Sequence, residues 1–157
     1  MTISFDLDDT LIPGALKFDT EKRTFLQTCT GAEPIREGTA RLVKTLQQQG
    51  HRVYIYTSSL RPRRRIWWAL LTYGIRTDKI INLKVHNQAL RATGRHCSKY
   101  PPAFGIDIHI DDAPGVALEG ERYHFNTILL TAGLPDWTGY VLREIAARAR
   151  SVPFSGA

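Results

Sequence analysis

The chain has 157 residues, 43% of them hydrophobic and 23% charged, and carries a formal net charge of +6. This balance excludes a disordered or fibrous chain. The length suits one domain, residues 1–157, burying roughly 70% of its unfolded surface without a disulfide framework or structural metal, for which Cys29 and Cys97 lack the number and spacing. With no long apolar run and no basic-then-apolar leader, the expectation is a cytoplasmic protein with no membrane partner, whose positive charge favours anionic partners without naming them.

In chain order, residues 3–5 form a brief strand that reaches Asp6 at once. Residues 37–49 place apolar side chains at Ala40, Leu42, Val43 and Leu46, the spacing of an amphipathic helix that Gly50 ends. Arg52–Tyr56 is β-branched and aromatic and reads as a strand. Residues 62–73 read as a helix with Pro62 in its first turn and Gly74 as its stop. Further strands are expected at 79–83, 106–110 and 126–130, and a last helix at 136–148. Strands separated by helices pair in parallel through right-handed crossovers. The expected fold is a three-layer α/β/α, Rossmann-like domain with a mainly parallel five-stranded sheet, which binds ligands at the carboxyl ends of its strands.

Those ends carry chemistry. The first strand runs into Asp6, Leu7, Asp8, Asp9, Thr10 and Leu11; the second into Thr57, Ser58 and Ser59; the fourth into Asp111 and Asp112, with Lys99 and Pro101 shortly before it. Two carboxylates ~4 Å apart repel by about 4 kcal/mol at an effective dielectric of 20. Gathering Asp6, Asp8 and Asp111 therefore calls for a divalent cation and for Lys99. All-oxygen ligands with open positions suit Mg²⁺ held partly by substrate phosphate. The site reads as magnesium-dependent phosphoryl chemistry.

The four motifs, in this order and each near a strand end, resemble those of the haloacid dehalogenase (HAD) superfamily of phosphohydrolases. The resemblance implies that Asp6 is the nucleophile and Asp8 the general acid/base. Thr57 would hydrogen-bond the phosphoryl group, and Lys99 would neutralise it and hold Asp6. Asp111 would complete the metal site with the Asp6 carboxylate and the Asp8 carbonyl, with Asp112 in support. Family dehalogenases lack the second acid of the first motif, so Asp8 favours a phosphate substrate. Lys84 is a rival for Lys99, and the Lys-x-Pro context of Lys99 decides for the latter. About forty residues separate Leu11 from the second strand, and the 85–98 segment is shorter still, so no separate cap domain is expected.

Other residues have plainer readings. Thr57, Ser58 and Ser59 also suit a cap on the following helix, and Asp112 suits a helix N-cap. Arg61, Arg63, Arg64 and Arg65 suit a solvated face with some carboxylate pairs, with Arg61, nearest Thr57, as the alternative substrate clamp alongside Ser58. Trp67 and Trp68 are assigned to core and groove packing, and His109 to the interior beside Asp111. A phosphomonoesterase is the leading reading. A signalling receiver domain fails because its lysine follows its last strand, whereas here the paired acids follow Lys99. A weakly catalytic module that binds nucleic acid or another anionic partner through its basic surface is the alternative, which the complete set of catalytic residues argues against.

Overall fold

The computed structural model describes residues 1–91, 93 and 95–151. The elements are β1 Thr2–Phe5, α1 Phe25–Cys29, α2 Thr39–Gln48, β2 Arg52–Tyr56, α3 Arg63–Thr72, β3 Lys79–Ile81, α4 Leu83–Arg91, β4 Ile108–Asp111, α5 Pro114–Tyr123, β5 Asn126–Leu129 and α6 Trp137–Ser151, with a 3₁₀ turn at Pro101–Phe104. Residues 92, 94 and 152–157 lie outside the described residues, so the 85–98 segment and the 1–157 domain expected above are only partly covered.

The five strands form one sheet in the order β3-β2-β1-β4-β5, and every pairing is parallel. From β1 the chain steps outward through β2 to β3, then crosses back over β1 to place β4 on its other side. The order therefore reverses between β1 and β4, which opens the ligand crevice at their carboxyl ends. Asp6 follows β1 directly and Asp111 ends β4.

Strand alternation gives the two faces of the sheet different characters. Ile3, Phe5, Val53, Ile55, Ile80, Ile108, Ile110 and Ile128 belong to the main apolar cluster, joined by Leu42 and Leu46 of α2, Ile66 and Leu70 of α3, and Val141 and Ile145 of α6. Ser4, Tyr54, Tyr56 and His109 fall at the intervening positions, where Tyr54, Tyr56, Ile81 and Ile106 form a smaller cluster with Val85 of α4 and Phe104 packed against it. Helices thus cover both faces, completing the three-layer α/β/α arrangement.

Boundaries differ from the expectation where side chains intervene. β3 stops at Ile81 because Asn82 begins a helix, its Oδ1 accepting from Val85 N at 3.2 Å. β4 starts at Ile108 because the Asp107 carboxylate turns to accept from Thr2 N at 2.6 Å. α5, which the cap reading of Asp112 implies without giving its range, runs Pro114–Tyr123 and includes Gly115 and Gly120. Gly120 is there for space, since a Cβ would stand 2.8 Å from Thr127 Oγ1 and 2.9 Å from Phe125 O. The capping readings fail. α3 begins behind Pro62 and α5 behind Ala113, neither with a side-chain cap, so neither Thr57, Ser58 and Ser59 nor Asp112 serves as one.

Candidate active site

Lys99 brings the strand ends together. Its side chain is 2% exposed. Nζ donates to Asp6 Oδ1 at 2.5 Å and to the Tyr56 carbonyl at 2.8 Å, and stands 3.8 Å from Asp111 Oδ2. Tyr56 is the last residue of β2, so one ammonium links the ends of β1, β2 and β4. Lys84, the rival in the sequence, is exposed on α4. Lys99 lies outside any helix or strand, and Glu119 of α5 fixes its backbone: one Glu119 oxygen accepts from Ser98 N at 2.8 Å, the other from Ser98 Oγ at 2.6 Å and Lys99 N at 3.1 Å.

Behind Asp111 runs a buried relay on the more polar face of the sheet. Ser4 Oγ lies 2.8 Å from His109 Nδ1, and His109 Nε2 lies 3.0 Å from Asp111 Oδ2. Burial holds His109 below the usual imidazole range, against the pull of Asp111. The neutral tautomer that satisfies both contacts carries its proton on Nε2, donates to Asp111 and accepts from Ser4. His109 is thus both the interior histidine expected and a positioning group for Asp111. Burial pushes Asp111 up, but His109 and Lys99 outweigh it and leave the carboxyl below its ordinary value. Asp6 goes the other way. Burial pushes it up to about 7 despite Lys99, and the charges of Asp111 and Asp112 add to the rise.

The other motif residues differ in exposure. Thr57 is buried, and its Oγ1 accepts from Ser59 N at 3.1 Å; Ser58 faces solvent. Asp112 Oδ1 accepts from Thr10 Oγ1 at 2.8 Å. After Asp8 the chain folds back on itself in a tight turn, with Leu11 N and Ile12 N both donating to the Leu7 carbonyl. Asp9 occupies the left-handed region at φ 60°, and its Oδ1 accepts from Gly14 N and Leu16 N at 2.9 and 2.7 Å. A Cβ on Gly14 would stand 2.9 Å from that same oxygen, so a larger residue there would shift the Asp9 carboxylate.

Arg61 makes carboxylate pairs of the kind the solvated-face reading includes, with Asp8 and Glu33. Its Nη1 donates to both Asp8 oxygens, at 2.7 and 2.8 Å, and to Ser59 Oγ at 3.0 Å, while Nη2 donates to Glu33 Oε1 at 2.9 Å. Asn82 Nδ2 holds the Arg61 carbonyl at 3.0 Å, so the residue that caps α4 also fixes this loop. Glu33 and Asn82 were not singled out in the sequence. The Asn-x-x-Val cap was the signal available for Asn82; Glu33 sits in an irregular stretch that offers none.

The donor chemistry fits a small, hard cation. Asp6 and Asp111 face one site through Lys99, and their mutual repulsion contributes to the raised Asp6 carboxyl. Among the described residues no group of three or more His, Cys, Asp and Glu side chains forms a ready cage. Asp8 turns its carboxylate to Arg61 and Asp112 to Thr10. That leaves the carboxylates of Asp6 and Asp111, hard oxygen donors of the kind that hold Mg²⁺ with few protein ligands.

The chain matches no protein-family model and no curated protein. Among solved structures it is similar to a predicted HAD-like family hydrolase from Porphyromonas gingivalis, with a TM-score of 0.51 over 92% of this chain and 97% of that one, at 14% identity. The chain has the HAD-like fold. The fold expected from the four motifs and the strand order is therefore present, with Asp6 and Asp111 at its switch point and Lys99 between them. No helix among the described residues is long and apolar enough to cross a membrane.

Proposed function

We propose that the chain is a phosphatase that hydrolyses a phosphomonoester through an acyl phosphate on Asp6. The observation that carries this reading is the Asp6–Lys99 contact of 2.5 Å at the crevice between β1 and β4. A buried carboxylate fixed through one oxygen keeps the other for attack, and the adjacent cation answers the charge of the incoming phosphoryl group.

Lys99, the Thr57 hydroxyl and Ser58 hold the phosphoryl oxygens. Asp6 attacks phosphorus, the ester P–O bond breaks, and the leaving oxygen takes a proton from Asp8. Water then attacks the acyl phosphate and gives its proton to Asp8, releasing phosphate and the Asp6 carboxylate. The carboxylates of Asp6 and Asp111 and the carbonyl of Asp8, with Asp112 in support, would hold Mg²⁺, which would supply neutralisation of charge on the transferring group. Proton donation by Asp8 requires Arg61 to part from at least one of its oxygens, and a substrate phosphate beside them offers Arg61 a competing anion. Arg61 is in this sense still a substrate-facing residue. The domain works in the cytoplasm without a separate cap, and its open crevice admits a bulky substrate.

A screen of phosphomonoesters with Mg²⁺, with and without EDTA, tests the proposal. Phosphate release that stops with EDTA and with Asp6→Asn supports it. Full turnover in excess EDTA, or in the Asp6→Asn variant, contradicts it.

A further inference from the structure

We infer that the substrate is the terminal phosphate of a single-stranded nucleic acid, whose strand runs from the active site along α3. The inference rests on the phosphatase reading and adds the substrate class to it.

Three observations carry it. A groove of about 780 Å³ lies between the α1 region and α3, and its walls include Gln27, Glu33, Arg64, Arg65, Trp68 and Leu71. Glu33 accepts from the same Arg61 that holds Asp8, so the groove begins where the catalytic acid/base is anchored. Trp67 and Trp68, expected in core and groove packing, lie 48% and 63% exposed, Trp68 on the groove wall, their rings stacked with centroids 5.5 Å apart and planes 25° apart. Lastly, Arg63, Arg64 and Arg65 are all exposed, and among the described residues none of their guanidinium groups meets a carboxylate. Arg61, two residues earlier, is matched by two.

Each half of this surface is costly without a ligand of matching chemistry. Two exposed indoles keep apolar area in water, and three adjacent unmatched cations repel one another. A nucleic acid strand answers both, because bases stack on aromatic faces and phosphates take guanidinium groups. A mononucleotide would place its only phosphate in the crevice and leave Arg63, Arg64 and Arg65 without a partner. A strand supplies further phosphates at each step. Trp68 lies five residues along α3 from Arg63, about 7.5 Å along the axis, so the cations stand nearer the active site and the indoles beyond them. The two-walled shape suits a strand better than a membrane surface. In the reaction, the P–O bond between the terminal phosphate and the sugar oxygen breaks, with water supplying hydroxyl to phosphorus and a proton to the sugar oxygen.

The test uses the full chain with dodecathymidylate bearing a 5′ or a 3′ phosphate and fluorescein at the other end. Three quantities are read: anisotropy, quenching of tryptophan emission, and phosphate release with Mg²⁺. The expected results are quenching on binding and release from one of the two ends. The log–log salt dependence of binding should have a slope of about −1.4 for phosphates matched by the two groove arginines, Arg64 and Arg65, reduced by about 0.7 in Arg65→Ala. Trp68→Ala should weaken binding and raise KM by roughly 5- to 100-fold, with most of the loss recovered in Trp68→Phe, which keeps a ring to stack on. Hydrolysis of p-nitrophenyl phosphate with no oligonucleotide binding overturns the inference and leaves the phosphatase reading standing. Oligonucleotide binding with no hydrolysis of any phosphomonoester overturns the phosphatase reading, and the substrate role with it. Mononucleotides turned over as well as the oligonucleotide, or binding to anionic phosphatidylserine vesicles in its place, would also overturn the strand.

Discussion

Arg61 Nη1 reaches both carboxylate oxygens of Asp8, at 2.7 and 2.8 Å, while its Nη2 is held by Glu33. The proposed general acid/base is therefore oriented by a cation from the loop after β2, and that cation is itself anchored from the irregular stretch before α2. Burial lowers the Arg61 guanidinium and the two carboxylates more than reverse the effect, so it stays charged.

If Arg61 positions Asp8, its loss should weigh most where the leaving group needs a proton. Arg61→Ala is expected to lower kcat/KM for an alkyl phosphate at least tenfold more than for an aryl phosphate, whose leaving oxygen needs little protonation. Glu33→Gln should move both in the same sense by a smaller factor. Equal losses on the two substrates would assign Arg61 to phosphate binding alone.

Lys99 is the buried cation between two carboxylates, so removing it should damage both stability and activity. Lys99→Ala is expected to cost up to about 3–5 kcal/mol in urea unfolding at pH 8. The loss should shrink at pH 6, because Asp6, pushed up to about 7 by burial, then takes a proton. Turnover should fall by several orders of magnitude, and Lys84→Ala should resemble the parent. The reverse pattern between the two lysines would displace Lys99 from the site.

His86 gives a stability effect that pH can isolate. Its ring is buried between Tyr56 OH, 2.5 Å from Nδ1, and the Cys97 carbonyl, 3.1 Å from Nε2, and burial holds it below the ordinary imidazole range. As pH falls below about 6.5 the unfolded chain takes up a proton that the folded chain refuses, so stability falls by at most about 1.4 kcal/mol per pH unit until the folded pKa is passed. Asp6 works in the opposite sense, because its raised folded carboxyl keeps a proton that the unfolded chain gives up between 3.8 and about 7. The difference between the parent and His86→Gln removes the Asp6 contribution. The urea midpoint of the parent should fall relative to the variant between pH 7 and pH 5.5. A constant difference would show that His86 does not titrate in this way.

The parallel order and the switch point were legible in the sequence because apolar strand runs alternate with helices, and because Asp6, Thr57, Lys99 and Asp111 lie at or near strand ends. Short-range signals misled where a side chain had a distant partner. Thr57 and Ser59 suited helix caps but form local turns leading to Arg61. Asp112 suited an N-cap but accepts from Thr10, more than a hundred residues earlier. Trp67 and Trp68 have core-type side chains, yet both are exposed, Trp68 on the side of α3 away from buried Ile66 and Leu70 and Trp67 at the flank of that stripe. The Ser4–His109–Asp111 relay and the Arg61–Glu33 pair depend on strand register and loop path, which no local pattern encodes.

The central claim is that Asp6 becomes phosphorylated and that Asp8 moves the protons. It is tested most directly by trapping labelled phosphate on the protein during turnover of acetyl phosphate or an aryl phosphate with Mg²⁺. Asp6→Asn should take up no label. Asp8→Asn should accumulate acid-stable, hydroxylamine-sensitive phosphate at Asp6, because its nucleophile and leaving group suffice for the first step while the base for the second is gone. Label on Asp8, or no covalent phosphate under any condition with turnover intact, would contradict the account.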